Sequence, residues 1–122
     1  MSDAFTPIRI QRLRAAGWRQ PRNTVYVGRP TPWGNRAVII GPDISFRWWV
    51  QADGPTDYEP IGPFRSRDAA HWEAVDIFRA RLQCDIALAE QAKLALRGKN
   101  LACWCRLDRA CHADVLLEIA NG

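Results

Sequence analysis

Cys103, Cys105, Cys111 and His112 crowd together near the end of the chain in the pattern Cys-x-Cys-x5-Cys-His. Thiolate sulfur and imidazole nitrogen are the ligands of tetrahedral zinc, so these four form a candidate Cys₃His metal set, for zinc or for an iron–sulfur centre. The same residues can instead serve a nucleophile. A thiolate at Cys111, activated by a helix N-terminus and by the neighbouring His112, is a sulfur nucleophile next to its base. Cys103 and Asp114 complete that candidate catalytic set, Asp114 standing close enough along a helix to orient the imidazole. The third reading is packing alone, because small buried cysteines fill cores well. Cys84 stands apart from the group and reads as structural.

A second group of residues suits a phosphate-bearing ligand. Of the 17 basic residues only Lys93 and Lys99 are lysines. Seven arginines fall between Arg9 and Arg36 with no acidic residue among them, a footprint for nucleotide or nucleic-acid phosphate. Arg12 and Arg29 are the candidate phosphate binders. Trp33, Gly34 and Asn35 sit in a proline-flanked loop where an indole face can stack a base and an amide can contact base or sugar. Arg109 stands in Cys-x5-Arg spacing from Cys103, the spacing of the cysteine-phosphatase loop. The intervening Trp104, Cys105, Arg106, Leu107 and Asp108 lack the small residues that let backbone N–H groups converge on phosphate. His71 lies on an apolar helical stripe, either as a half-buried core residue or as an acid–base group at the strand ends.

The elements that must position these groups follow from periodicity. Alternation from Pro7 to Arg12 predicts a half-buried strand with Ile8 and Ile10 on its apolar face. Thr24 to Val27 is β-branched and aromatic and ends at Gly28 and Pro30. Ala37 to Ile40 and Phe46 to Gln51 predict two further strands, and Ala52 to Pro63 predicts a loop. Ser66 predicts an N-cap, followed by a helix with His71, Val75, Phe78 and Leu82 inward. A second helix over Asp85 to Leu96 turns Leu88, Ala92 and Ala95 inward and stops at Gly98. Asn100 to Trp104 predicts a buried strand, with Cys103 and Cys105 on one face and Trp104 facing the core. A loop then leads to a helix over Cys111 to Ala120, with Asp108 as its N-cap and Val115, Leu116 and Ile119 inward. The sum is a single α/β domain over 1–122. A small mixed sheet is flanked by about three helices, and the C-terminal strand-loop-helix carries the Cys/His motif.

With 122 residues, 48% of them hydrophobic and 25% charged, the chain can bury a core without disulfide or metal. No apolar run approaches a membrane span of about 20 residues. The N-terminal segment lacks a basic-then-apolar leader and the cysteines are clustered, which together predict reduced thiols in a cytoplasm. Oligomeric state has no signature in the sequence.

Two stretches carry a resemblance. Ile10-Gln11-Arg12, Gly17 to Pro21, Val25 to Pro30 and Pro32 to Asn35, together with Leu96 to Cys105 and Cys111 to Leu117, resemble the domain of unknown function 4326 family of phages and bacteria. The chain departs from that family at Arg36-Ala37, where Pro-Phe usually follows Trp-Gly-Asn. Cys103 and Cys111-His112 are also similar to the strand, loop and Cys-His helix start of the domain of unknown function 488 family. The resemblance implies that the Trp33 loop and the Cys103 to Asp114 segment are the signature regions, and it names no reaction. The leading expectation is a nucleotide- or nucleic-acid-directed protein, a modifying enzyme using the Cys/His site. The alternatives are a non-catalytic nucleic-acid-binding module with structural or zinc-bound cysteines, and a phage-type accessory protein that binds a host protein.

Overall fold

Three parallel strands end on the same side of one small sheet, and that edge organises the molecule. The computed structural model describes residues 6–53 and 59–122. In chain order the elements are β1 (Arg9–Gln11), β2 (Thr24–Tyr26), β3 (Val38–Ile40), β4 (Trp48–Gln51), β5 (Ile61–Phe64), α1 (Arg67–Cys84), α2 (Ile86–Leu96), β6 (Asn100–Cys103) and α3 (His112–Asn121). β6 lies at the centre of the first sheet between β1 and β2, parallel to both, with Leu101 opposite Arg9 on one side and Val25 on the other. The second sheet is antiparallel, in the order β3-β4-β5. The α/β class, the three helices and the C-terminal strand-loop-helix follow the sequence expectation, while the strands divide into two sheets instead of joining in one. The segment predicted as a loop over Ala52 to Pro63 lies partly outside the described residues. Its end, Ile61–Phe64, is strand β5. Gly62 and Pro63 hide it from a propensity reading, and Pro63 is tolerated because β5 is an edge strand.

The main core lies between the parallel sheet and the helices. Val27, Phe78, Leu96, Leu101, Val115 and Leu116 are almost fully buried there. Each side chain of this kind contributes roughly 1.5–3 kcal/mol of apolar burial. A smaller cluster of Ala37, Val50, Ala70 and Ala74 joins α1 to the antiparallel sheet. Its small side chains let the helix approach closely.

The caps explain where the helices start. Ser66 accepts a hydrogen bond from Ala69 N at the head of α1, and Asp85 accepts one from Leu88 N at the head of α2. α2 buries Leu88, Ala92 and Leu96, so Ala95 faces solvent against expectation. An i, i+4, i+8 stripe replaces the predicted one. The N-cap of α3 is Cys111, whose side chain makes no cap hydrogen bond, and not Asp108. Asp108 is occupied by Arg106, 2.7 Å away.

Two predicted strand faces are inverted. At the start of β1, Ile8 just before the strand is 53% exposed while the Arg9 side chain is only 9% exposed. At the end of β6, Cys103 is buried and Trp104, just after the strand, is 40% exposed. The alternation itself is correct. The helices cover the face that carries Arg9, Leu101 and Cys103, so the opposite face with Trp104 turns outward. Trp104 finds cover from Arg14 and Arg12, whose guanidinium carbons lie 4.4 and 5.0 Å from the indole.

Candidate functional site

β6 ends at Cys103, the chain turns through Cys105 to Ala110, and α3 begins just after Cys111. This strand-loop-helix sequence returns Cys111 to the strand it left. The sulfurs of Cys103 and Cys111 are 2.9 Å apart, and those of Cys103, Cys105 and Cys111 all lie within 4.8 Å of one another. All three thiols are free of disulfides. Cys103 and Cys111 are buried and Cys105 is half-buried.

The charge in this cluster settles on Cys111. Its thiol is held well below the usual range, first by hydrogen bonding from Cys103, then from Cys105 and His112, against the cost of burial. Cys103 is pushed up because its proton is held by its neighbours and because it is buried. Cys105 is pushed up to about 11: contact with Cys103 lowers it, but Cys111 and burial outweigh that. A position at the head of a ten-residue helix suits an anion.

His112 stands differently from expectation. Its Nε2 is 2.8 Å from the Val27 carbonyl, and its Nδ1 is 3.7 Å from Cys111 Sγ. The Val27 carbonyl requires a proton on Nε2, so the 3.7 Å contact at Nδ1 is made either by a thiol donating to the ring or by a doubly protonated ring donating to the Cys111 thiolate, and only the second arrangement lowers the thiol. The ring is fixed further by edge-on packing against Phe78. It does not join the sulfurs as a fourth ligand, because only the three cysteines converge. Asp114 does not orient the imidazole. Its carboxylate turns to Arg9 Nε, 3.4 Å away, and Val27 does the orienting. Burial and the nearby Cys111 raise the Asp114 carboxyl above its ordinary range, with Arg9 pulling the other way.

Arg9 is the residue that sequence reasoning missed. Its Nη2 donates to the carbonyls of Leu107 and Arg109, both at 2.8 Å, and so pins the loop between Cys105 and Cys111. Its Nη1 is buried without a hydrogen-bond partner, while the guanidinium charge is stabilised by Cys111, Asp114 and Cys103 against its burial. The available signal was an arginine inside a strand pattern, read as the solvent face.

The cysteines open onto a cleft of about 390 Å³ at the carboxyl ends of the parallel strands, where open α/β sheets receive ligands. Tyr26, Gly28 and Arg29 form one wall; Asn35, Val38 and Ile39 another. Arg67, His71, Ala74 and Val75 come from α1, and Cys103 to Cys105, Cys111 and His112 close the site. His71 Nε2 is buried and unpartnered. Burial lowers the His71 pKa, helped by Arg109 and Arg67, so the ring is neutral at pH 7.

The other predicted residues divide. Arg29 lines the cleft and is exposed. Asn35 lines it too, but its amide donates to Ala74 O and accepts from Ala37 N, which ties its loop to α1 and β3. Trp33 is half-buried against the main core and Gly34 is buried. A Cβ at Gly34 would meet Arg29 Cγ at 2.9 Å and Arg29 Cα at 3.1 Å, so the close approach of two loop strands requires glycine there. Neither residue lines the cleft wall. Arg12 stacks between Tyr26 and Trp104 outside it. Arg109 turns to Asp68, Nε to Oδ1 3.3 Å, and ties the cysteine loop to the start of α1. No helix among the described residues is long and apolar enough to cross a membrane.

A family model described as a domain of unknown function (DUF4326) matches residues 10–122, nearly the whole chain. No curated protein and no solved structure matches it.

Proposed function

The chain belongs to the domain of unknown function 4326 family, and from that premise we propose that it is a nucleotide-modifying enzyme whose reaction centre is the cysteine floor of the cleft. The observation that carries this reading is the convergence of Cys111, His71 and Arg29 on one 390 Å³ space at the strand ends. That volume falls in the range of small-molecule sites. Arg29 and Arg67 supply two cations at the walls for phosphate, and Tyr26 and Trp104 offer aromatic surface beside them. Neutral His71, with Nε2 unpartnered, accepts or returns a proton within the cleft. The sulfur cluster supplies the reactive end.

The test is calorimetric titration of the full chain with the four ribonucleoside monophosphates and their unphosphorylated nucleosides. The reading predicts binding of at least one monophosphate, weaker binding of its nucleoside, and a loss of about tenfold in Arg29→Ala. No binding of any monophosphate at millimolar concentration would overturn it.

One observation favours a second reading, docking of single-stranded nucleic acid without catalysis. Arg12, Arg14, Tyr26 and Trp104 form a stacked basic and aromatic shelf next to the cleft mouth. That reading predicts oligonucleotide affinity that falls steeply with salt and is lost in Trp104→Ala.

A further inference from the structure

The sulfurs of Cys103, Cys105 and Cys111 are collected more tightly than a single nucleophile needs. They lie within 4.8 Å of one another, with Cys103 and Cys111 at 2.9 Å. Tetrahedral zinc with bonds of about 2.3 Å places its sulfurs about 3.8 Å apart, between those two limits. Two rigid elements hold the outer pair, the end of β6 and the N-cap of α3, and both residues are 1% exposed.

A second observation points the same way. The Arg9 side chain is nine-tenths buried beside Cys111 and Cys103, and its Nη1 has no hydrogen-bond partner. Three thiolates around one divalent ion leave a net negative charge, which the buried guanidinium, shared with Asp114, offsets. His112 stands outside the set because only the three sulfurs lie within 4.8 Å of one another, its Nδ1 reaching Cys111 Sγ alone at 3.7 Å. We propose that Cys103, Cys105 and Cys111 bind one zinc ion through three of its four positions, with the fourth facing the cleft.

Three protein ligands and one open position make a reactive zinc site, since structural sites use four. A water or an oxygen of the substrate takes the fourth place, and the ion acts there as a Lewis acid. The soft, all-sulfur set selects zinc over magnesium or calcium. The inference does not depend on nucleotide binding, because the ion can be held whether or not a nucleotide enters.

The test uses the full chain without a histidine tag, purified under reducing conditions, with metal measured by mass spectrometry. One zinc per chain is expected, and replacement by cobalt gives the near-ultraviolet sulfur-to-metal band and visible bands of a tetrahedral thiolate site. Cys105→Ser, chosen because Cys105 is half-buried, loses the metal while its circular dichroism remains native. Cys84→Ser keeps the metal. Arg9→Gln lowers zinc affinity about 10- to 100-fold by chelator competition, the usual scale for a group just outside the ligands. Folded, reduced wild type that takes up neither zinc nor cobalt overturns the proposal. So does iron or copper in place of zinc, or a Cys105→Ser variant that binds as tightly as wild type. A zinc-loaded protein that binds no monophosphate leaves this site standing and removes only the nucleotide reading.

Discussion

The loop at Trp33-Gly34-Asn35 and the segment from Cys103 to Asp114 carry equal weight as sequence motifs, and the fold uses them in opposite ways. In the first, the polar capacity is satisfied internally. Both ends of the Asn35 amide hold backbone, and Trp33 packs on the core. In the second, capacity is left over. Three sulfurs face one another, Arg9 Nη1 lacks a partner, and the neighbouring His71 Nε2 opens on a cleft without one. Buried polar groups left unmatched cost about 1–3 kcal/mol each. Among the described residues two such atoms, Arg9 Nη1 and His71 Nε2, lie beside the cysteines and the cleft, and two, Arg12 Nε and Arg81 Nη1, lie away from it.

Substitutions that separate stability from ligand binding test this contrast. The largest effect is expected at Trp33→Ala, a loss of about 2–3 kcal/mol in chemical denaturation, since half-burial puts it below the range for a core aromatic. The folded fraction should still bind zinc. Asn35→Ala comes next, with about 1–3 kcal/mol lost because Ala74 O and Ala37 N are left without partners. A variant as stable as wild type would break the claim that this amide is structural. Arg29→Ala should behave in the reverse manner. Stability should stay within about 0.5 kcal/mol while monophosphate affinity falls about tenfold.

His71 gives a subtler test. Its folded pKa lies below the unfolded value near 6.5, so the unfolded chain binds more protons as pH falls through that window. Stability is therefore lost as pH drops from about 6.5 to the folded pKa, and it levels off below that. His71→Gln should flatten this part of the wild-type profile, and an unchanged profile would contradict a buried, neutral ring. The smallest effect is expected outside both regions. Glu118 pairs with Arg79 at 2.7 Å on the surface, and that hydrogen bond lowers the Glu118 carboxyl. The pair contributes above the unfolded glutamate pKa and is lost as pH falls through the lower folded one. Glu118→Gln should cost less than about 1 kcal/mol and less still in high salt.

Much of the fold was legible because local signals agree with tertiary packing. The cap at Ser66, the β-branched run before Val27 and the apolar stripe of α1 read directly, while the cap at Asp85 was read only as the first residue of its helix. Which face of a strand turns inward was not legible where both faces carry large side chains. Ile8 and Trp104 look like core, yet the helices lie on the side of Arg9 and Cys103. That inversion also hid Arg9 from the site. Strand β5 was obscured by Gly62 and Pro63, which an edge position tolerates. The cysteine cluster was legible from spacing. The place of His112 outside it was not, because the ring's orientation is set by the Val27 carbonyl, which is distant in sequence, and only the three sulfurs converge.

The most direct measurement is amide chemical-shift mapping of the isotopically labelled, reduced full chain titrated with a ribonucleoside monophosphate. Shifts confined to Gly28, Arg29, His71 and Cys105, with none at the exposed Ile44 and Phe46 on the far turn, are predicted. Saturating additions that leave the cleft residues unmoved, or that move the Ile44–Phe46 turn instead, would contradict the account.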